Sequence, residues 1–295
     1  MSTAAHPLRI GVIGGSGLYA MEGLIDVQEH VVDTPFGPTS APLVIGRLAE
    51  APEVELVFLA RHGQGHRLNP SEVPYQANIF ALKAVGCSWV ISVSAVGSLR
   101  EDVVPGHVVV IDQFIDRTKG RASTFFEQGI VAHVSFGDPV CSTLRGYLLE
   151  AAREAGATVH DGGTYVCMEG PAFSTRAESE LYRAWGAKVI GMTNLPEAKL
   201  AREAELSYAT LAMATDYDCW RAGHDAVTAD AVVAVIHANV KLSQRILRAA
   251  IPRIARHEGP APMHNALATA IISDRSRVPA ARIEALRPIV GKYFQ

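Results

Sequence analysis

The 295-residue chain has no Cys-x-x-Cys pair, no run of lysine or arginine, and no apolar stretch of membrane-spanning length. Each absence excludes something. Its four cysteines, Cys87, Cys141, Cys167 and Cys219, lie far apart in sequence. That points to buried thiols in a reducing compartment rather than to a zinc site or a disulfide framework. Basic residues number 27 against 30 acidic ones, for a formal net charge of −3. Without clustered cations there is neither a groove for nucleic acid nor a polybasic face for a membrane. A membrane helix needs about 18 consecutive apolar residues, and none occurs. The start, Met1-Ser2-Thr3-Ala4-Ala5-His6-Pro7, lacks the apolar core of a signal peptide. The expectation is a soluble, cytoplasmic protein that binds neither nucleic acid nor membrane and has no metal site.

What is present is an ordinary globular balance, 48% hydrophobic and 19% charged, with ample material for a core. Short β-branched runs recur at residues 10–13, 56–59, 90–93, 108–111 and 208–213. Helical spacing fills 75–85, stopped by Gly86, then 144–155, and 177–185 closed by Gly186. Strands alternating with helices predict a largely parallel or mixed sheet covered on both faces. Residues 116–139 carry no convincing element, and loops of that length inside compact domains are usually functional. A long helix is expected over 227–251. Gly259-Pro260-Ala261-Pro262 then breaks the chain before a helical extension over 263–295, packed on the rest or reaching out. One domain spanning 1–295 is expected, with 1–7 as a tail.

Six stretches carry candidate chemistry. Gly14-Gly15-Ser16-Gly17 directly follows the first strand, where backbone N–H groups can converge on an anion. A plain tight turn fits it as well, and a dinucleotide fingerprint fits it poorly because the following segment is short and broken by Gly23. Arg61-His62-Gly63 ends an apolar strand, where ligand-facing residues emerge in open α/β sheets. Arginine's fork of donors suits phosphate, although a solvated charge at a strand end is the commoner case. Ser94-Ala95-Val96-Gly97-Ser98 closes another strand with small residues that allow close approach. Glu169 to Ser174 joins a strand to a helix containing Arg176 and Glu178; Phe173 there can stack on a base or simply fill the core. Finally Met192-Thr193-Asn194 ends a third strand, and Thr215-Asp216-Tyr217-Asp218-Cys219-Trp220 follows a buried run. The carboxylates of Asp216 and Asp218, at i and i+2, point to one side of an extended segment. Solvated loop acids are the default, but acids beside Trp220 at a sheet edge suggest a pocket.

The order of these motifs is specific. Gly14-Gly15-Ser16-Gly17, Leu59-Ala60-Arg61-His62-Gly63, Tyr75-Gln76-Ala77-Asn78-Ile79, Ala95 to Arg100, Ile111 to Thr118, Glu169-Gly170-Pro171-Ala172-Phe173-Ser174, Met192 to Glu197 and Thr215 to Trp220 occur in sequence. Together they resemble the purine nucleoside phosphorylase family, strongly over residues 8–255 and loosely in the extension. The resemblance implies a single-domain α/β/α fold around a mixed, partly barrel-like sheet, assembled as a homotrimer or hexamer. It further implies phosphorolysis of S-methyl-5′-thioadenosine to adenine and 5-methylthioribose 1-phosphate, a pentosyl transfer in purine and methionine salvage. Inorganic phosphate is the co-substrate, and no cofactor is needed.

By the same resemblance phosphate falls to Ser16, Arg61, His62, Ser94, Ala95 and Thr193. Phe173 and Ser174 match base-pocket positions, Met192 lies against the ribose, and Thr215 belongs to the pocket wall. Asp216 faces purine N7 and Asp218 accepts from the 6-amino group. Ala229, Val232 and Val233 line the 5′-methylthio group, and His133 reaches toward the 5′ end of a neighbouring subunit's nucleoside. Besides a nucleosidase using water, which would not need the Ser16, Arg61 and His62 anion set, two rivals are a phosphorylase of 6-oxopurine nucleosides such as methylthioinosine and a non-catalytic purine-binding scaffold. The first tends to carry Asn at the Asp216 position and Glu at the Ser174 position; this chain has neither. The second is disfavoured by an intact anion set and both acids.

Overall fold

A computed structural model describes residues 7–18, 20–221 and 229–295; the side chains of Ser16, residues 229–234, Ile236 and His237 fall outside the description. In chain order the elements are β1 (Leu8–Gly14), β2 (Leu24–His30), β3 (Leu43–Leu48), β4 (Ala51–Ala60), α1 (Tyr75–Ala84) and β5 (Cys87–Ser98). Next come β6 (Val108–Val110), β7 (Gln113–Arg117), α2 (Ser142–Glu154), β8 (Val159–Asp161), β9 (Thr164–Met168) and α3 (Arg176–Ala184). The chain continues through β10 (Val189–Gly191), α4 (Asn194–Glu203), β11 (Ser207–Asp216), α5 (Ala229–Ala255), α6 (Ala280–Ala285) and α7 (Arg287–Val290).

All eleven strands form one mixed sheet, and β5 is its branch point. Along most of its length β5 pairs in parallel with β1 on one side and β11 on the other. Its last residues, Gly97 and Ser98, pair antiparallel with β10. One arm runs β1-β4-β3-β2, a second β10-β9-β7, and a third β11-β6-β8. Strands β1, β5 and β11 are near-continuous apolar runs because helices and other arms cover both faces. The expected α/β architecture with a mixed sheet is therefore what the chain adopts. Strand β2, Leu-Ile-Asp-Val-Gln-Glu-His, is largely exposed and gave no apolar signal to read.

The 116–139 stretch is not structureless at its start. β7 takes Gln113 to Arg117 and pairs in parallel with β9. Its apolar pair Phe114-Ile115 is flanked by polar residues, too short a pattern to alternate visibly. Beyond β7 the backbone is pinned by Glu203, which accepts from Thr124 Oγ1 at 2.7 Å and from the Phe125 N–H at 2.6 Å. Burial pushes this Glu203 carboxyl up to about 7 against those two donors.

The 263–295 extension is α-helical only at α6 and α7, with turns and short 3-10 segments at Arg275–Arg277 and Gly291–Tyr293, and it packs down rather than reaching out. Leu286, Ile289 and Val290 join the core that includes Ile79 and Leu82 of α1. Its polar anchor is Glu205, whose side chain is fully buried. Glu205 Oε1 accepts from the Leu267 N–H at 3.0 Å and from Tyr293 Oη at 2.5 Å, and Lys292 Nζ lies 2.7 Å from Oε2. Glu205→Ala would strand all three partners. Because Lys292 is half-exposed, the cost should sit near the low end for a broken buried pair, about 3 kcal/mol. A lower urea midpoint at unchanged slope is expected; an unchanged midpoint would show that the extension is held elsewhere.

Candidate active site

The site is built where strand ends meet. Gly14 pairs with Ala60 across β1 and β4, and the Arg61 N–H donates to the Gly14 carbonyl at 2.9 Å. The Gly15-Ser16 turn is thereby set beside Arg61 and His62. Arg61 is only 3% exposed, so it is no solvated charge. Its fork, however, faces inward: Nε donates to Glu197 Oε2 at 2.8 Å and Nη2 to Glu197 Oε1 at 3.1 Å. Nη2 also donates to Ser92 Oγ at 2.6 Å, and Nη1 to the Val93 carbonyl at 3.1 Å. Burial opposes the guanidinium's charge, but the Glu197 carboxylate overcomes this and holds Arg61 above its ordinary value. The fork that suits phosphate is thus largely committed to Glu197, Ser92 and Val93. A single Nη1 N–H is left over.

His62 places Nδ1 2.8 Å from the Leu68 carbonyl. A carbonyl only accepts, so Nδ1 carries the proton and the neutral ring keeps a lone pair on Nε2. Burial, reinforced by the Arg61 charge, lowers this histidine to about 4, so it is neutral at physiological pH. On the next strand, Ser94 Oγ faces Thr193 Oγ1 at 3.5 Å and Tyr165 Oη at 3.4 Å. Both hydroxyls are buried and held only by long contacts, which leaves them free to turn toward an anion. Ala95, beside Ser94, is exposed. Ser92 and Val93 thus contact Arg61, and Ser94, next along β5, faces Thr193.

The two acids stand a few residues further along the same, C-terminal end of β5. The β5–β11 register shifts between Ala214 and Asp216, leaving Asp216 opposite Gly97. Such a bulge re-aims a side chain. Gly97 keeps this contact close: a Cβ there would lie 3.0 Å from Asp216 Oδ1 and 3.3 Å from Asp218 Cβ, pressing on both acids. Asp216 Oδ2 is 2.6 Å from Thr215 Oγ1, and Oδ1 accepts from the Asp218 N–H at 2.8 Å. Burial raises the Asp216 carboxyl despite these donors. Asp218, at φ 53°, is raised too, by burial first and also by the Asp216 charge, against the hydroxyls of Ser179 and Ser174. They are not solvated loop acids. Burial disfavours the charged form of each, and at Asp218 the Asp216 charge adds to it.

The base side follows from α3. Thr175 caps that helix in a reciprocal capping box with Glu178, which fixes Phe173 and Ser174 just before it. Cys219 Sγ donates to the Ser174 carbonyl at 3.3 Å, joining this segment to the acids. Phe173 is 55% exposed, so it is not core. Met192 packs against Gly170, at φ 70°, where a Cβ would meet its sulfur at 2.5 Å.

Some expected members are not brought together. His133 is exposed and tied to the extension, its N–H donating to the Ala270 carbonyl at 2.9 Å beside an Ala132–Ile271 bridge. The side chains of Ser16, Ala229, Val232 and Val233 lie outside the described residues, although the backbone places Ala229 at the start of α5. Two members were missed. One is Glu197. The other is Arg121, inside the 116–139 stretch, whose side chain is 2% exposed. Arg121 Nη1 donates to the Met192 carbonyl at 2.6 Å and the Leu195 carbonyl at 2.9 Å, and Nη2 to the Glu169 carbonyl at 2.6 Å. It thus ties the base-side loop to the turn that bears Thr193.

Against known proteins, residues 9–252 match the family model described as the phosphorylase superfamily. The S-methyl-5′-thioadenosine phosphorylase of Geobacter sulfurreducens is 59% identical over 96% of this chain and 98% of its own. That of Chloroflexus aurantiacus is 57% identical over 98% and 99%. Among solved structures, a methylthioadenosine phosphorylase from an antarctic soil metagenomic library superposes with a TM-score of 0.90 at 47% identity, covering 95% of this chain and 99% of that one. The Schistosoma mansoni methylthioadenosine phosphorylase in complex with adenine gives 0.84 at 36% identity, over 90% and 99%.

Proposed function

We infer the activity from one premise: the chain belongs to the phosphorylase superfamily. Within it, the chain is a pentosyl-transferring enzyme that cleaves S-methyl-5′-thioadenosine with inorganic phosphate, giving adenine and 5-methylthioribose 1-phosphate. The observation that carries this reading is the pair of buried acids at the end of β11, one strand from the Ser94–Thr193–Arg61 cluster. An anion held on one side and a proton donor on the other are what a phosphorolysis of a purine nucleoside needs.

A phosphate oxygen attacks C1′ as the C1′–N9 bond breaks, and the bonding pair leaves with adenine. Positive charge builds on the ribose and is stabilised by the phosphate behind it. Protonated Asp216 gives its proton to N7, so the base departs neutral. Overall the proton lost by monohydrogen phosphate is the one that adenine gains. No covalent enzyme intermediate forms. Ser16, Arg61, His62, Ser94, Ala95 and Thr193 would hold the phosphate, Met192 the ribose, and Phe173, Ser174, Thr215 and Asp218 the base. Ala229, Val232 and Val233 would wall the 5′-methylthio group. We propose one domain for the chain and a homotrimer for the assembly, since His133 is far better placed on the surface to serve a neighbouring subunit. No described helix is long and apolar enough to cross a membrane.

The test is adenine release from methylthioadenosine with and without phosphate. Release should require phosphate or arsenate, and equal rates in phosphate-free buffer would replace the reading with hydrolysis.

A further inference from the structure

Glu197 is 2% exposed and lies under the anion cluster, bound to Arg61 by two bonds. It is fixed from a second side by Tyr208 Oη, which donates to Oε1 at 2.8 Å. Tyr208 in turn accepts from Asn194 Nδ2 at 2.7 Å, and the same nitrogen lies 2.9 Å from Ser92 Oγ. The network closes on itself, so neither partner of the ion pair can swing toward a ligand. A phosphate site would gain affinity from a free guanidinium fork. Here the fork is spent on a carboxylate, and the formal charges of the pair cancel. Among the described residues, the candidate phosphate set otherwise offers the hydroxyls of Ser94 and Thr193, one Nη1 N–H of Arg61, and the His62 ring, which is neutral. The next buried cation, Arg121, is likewise committed, to the carbonyls of Glu169, Met192 and Leu195 and to the Glu169 carboxylate at 3.3 Å.

Resting on the phosphorylase reading, we propose that Glu197 is a positioning residue that neutralises Arg61, so that bound phosphate is held loosely and keeps its negative charge for the reaction. Only interactions stronger in the transition state than in the ground state raise kcat. A dianion whose charge is already absorbed by an arginine fork gains less when C1′ turns positive. A dianion surrounded by neutral donors gains more. Glu197 therefore trades phosphate affinity for turnover.

The trade gives opposite signs for two parameters, which a merely structural role would not. In Glu197→Gln the amide keeps the volume and still accepts from Arg61, but the pair's charge is no longer cancelled. The phosphate KM should fall about tenfold, the scale of one added unit charge near the site. The kcat should fall by about tenfold or more, as for other lost preorganised electrostatic contacts, with the nucleoside KM nearly unchanged. Glu197→Asp, which retains the charge, should restore a phosphate KM near that of wild type. Binding alone gives a second readout: with Arg61 unpaired until an anion arrives, saturating phosphate should raise the Tm of Glu197→Gln more than that of wild type. If Glu197→Gln folds poorly, refolding in phosphate against chloride supplies the same comparison, and phosphate should recover the yield. A raised phosphate KM, or no larger phosphate effect on Tm or yield than in wild type, would overturn the proposal. Wild-type adenine release that ignores phosphate would instead overturn the phosphorylase reading beneath it.

Discussion

Replacing Asp216 with alanine should cut kcat about 10²–10⁴-fold, the range for a lost positioned general acid, while the nucleoside KM changes little. The reason is where the proton is needed. Adenine leaves through N9 with a lone pair that spreads to N7, and only a protonated group there lets it depart neutral. Asp216 stands at the β11 bulge, where burial raises its carboxyl even though Thr215 Oγ1 and the Asp218 N–H both favour the ionised form. The sign of the pH dependence follows. The acid must be protonated to act, so kcat should fall as pH rises through the raised value, and Asp216→Ala should lose that alkaline limb. Asp216→Asn, which donates a hydrogen bond to N7 but no proton, should fall between. Steady-state rates of adenine release across pH decide it. An alanine variant within tenfold of wild type, with the limb intact, would remove Asp216 from the chemistry.

Both acids were visible in the sequence because they sit in one contiguous motif after a long apolar run, and β11 is such a run. The same holds for β1, β4 and β5, whose ends deliver Gly15, Arg61 and Ser94. What stayed hidden is what distance in sequence conceals. Glu197 lies 136 residues from Arg61, and in a helix it reads as one more solvent-facing acid. Only the fold shows that this carboxylate takes the fork that arginine was expected to offer to phosphate. Arg121 is hidden differently. In a stretch without periodicity a lone arginine reads as solvated, whereas its acceptors are backbone carbonyls, which no side-chain pattern announces. The bulge that aims Asp216 is a register property of two strands and leaves no mark on either alone. His133 was read by likeness, and in this chain it lies exposed and tied to the extension.

The second large effect expected is a change of substrate in Asp218→Asn. The 6-amino group of adenine donates and N7 accepts, so the base itself sorts the two roles: Asp216 must act protonated and Asp218 as the carboxylate. A carboxylate only accepts, and a 6-oxo group facing it would pair with nothing. Asp218 is buried, held at φ 53° between Asp216 and Ser174, so water does not relieve that mismatch. An asparagine there accepts through Oδ1 or donates through Nδ2, and it can turn to suit either base. An unmet buried polar group costs about 1–3 kcal/mol. Losing the charged acceptor for one base and removing the mismatch for the other should together move the ratio of kcat/KM values, methylthioadenosine over methylthioinosine, by roughly 10²-fold toward the 6-oxo substrate. The Asp216 acid is untouched, so the alkaline limb of kcat should persist in Asp218→Asn. Measured kcat/KM for both nucleosides in wild type and variant makes the decision. If the ratio stays where wild type has it, Asp218 does not read the 6-position, and discrimination must come from the Phe173–Ser174 side of the pocket.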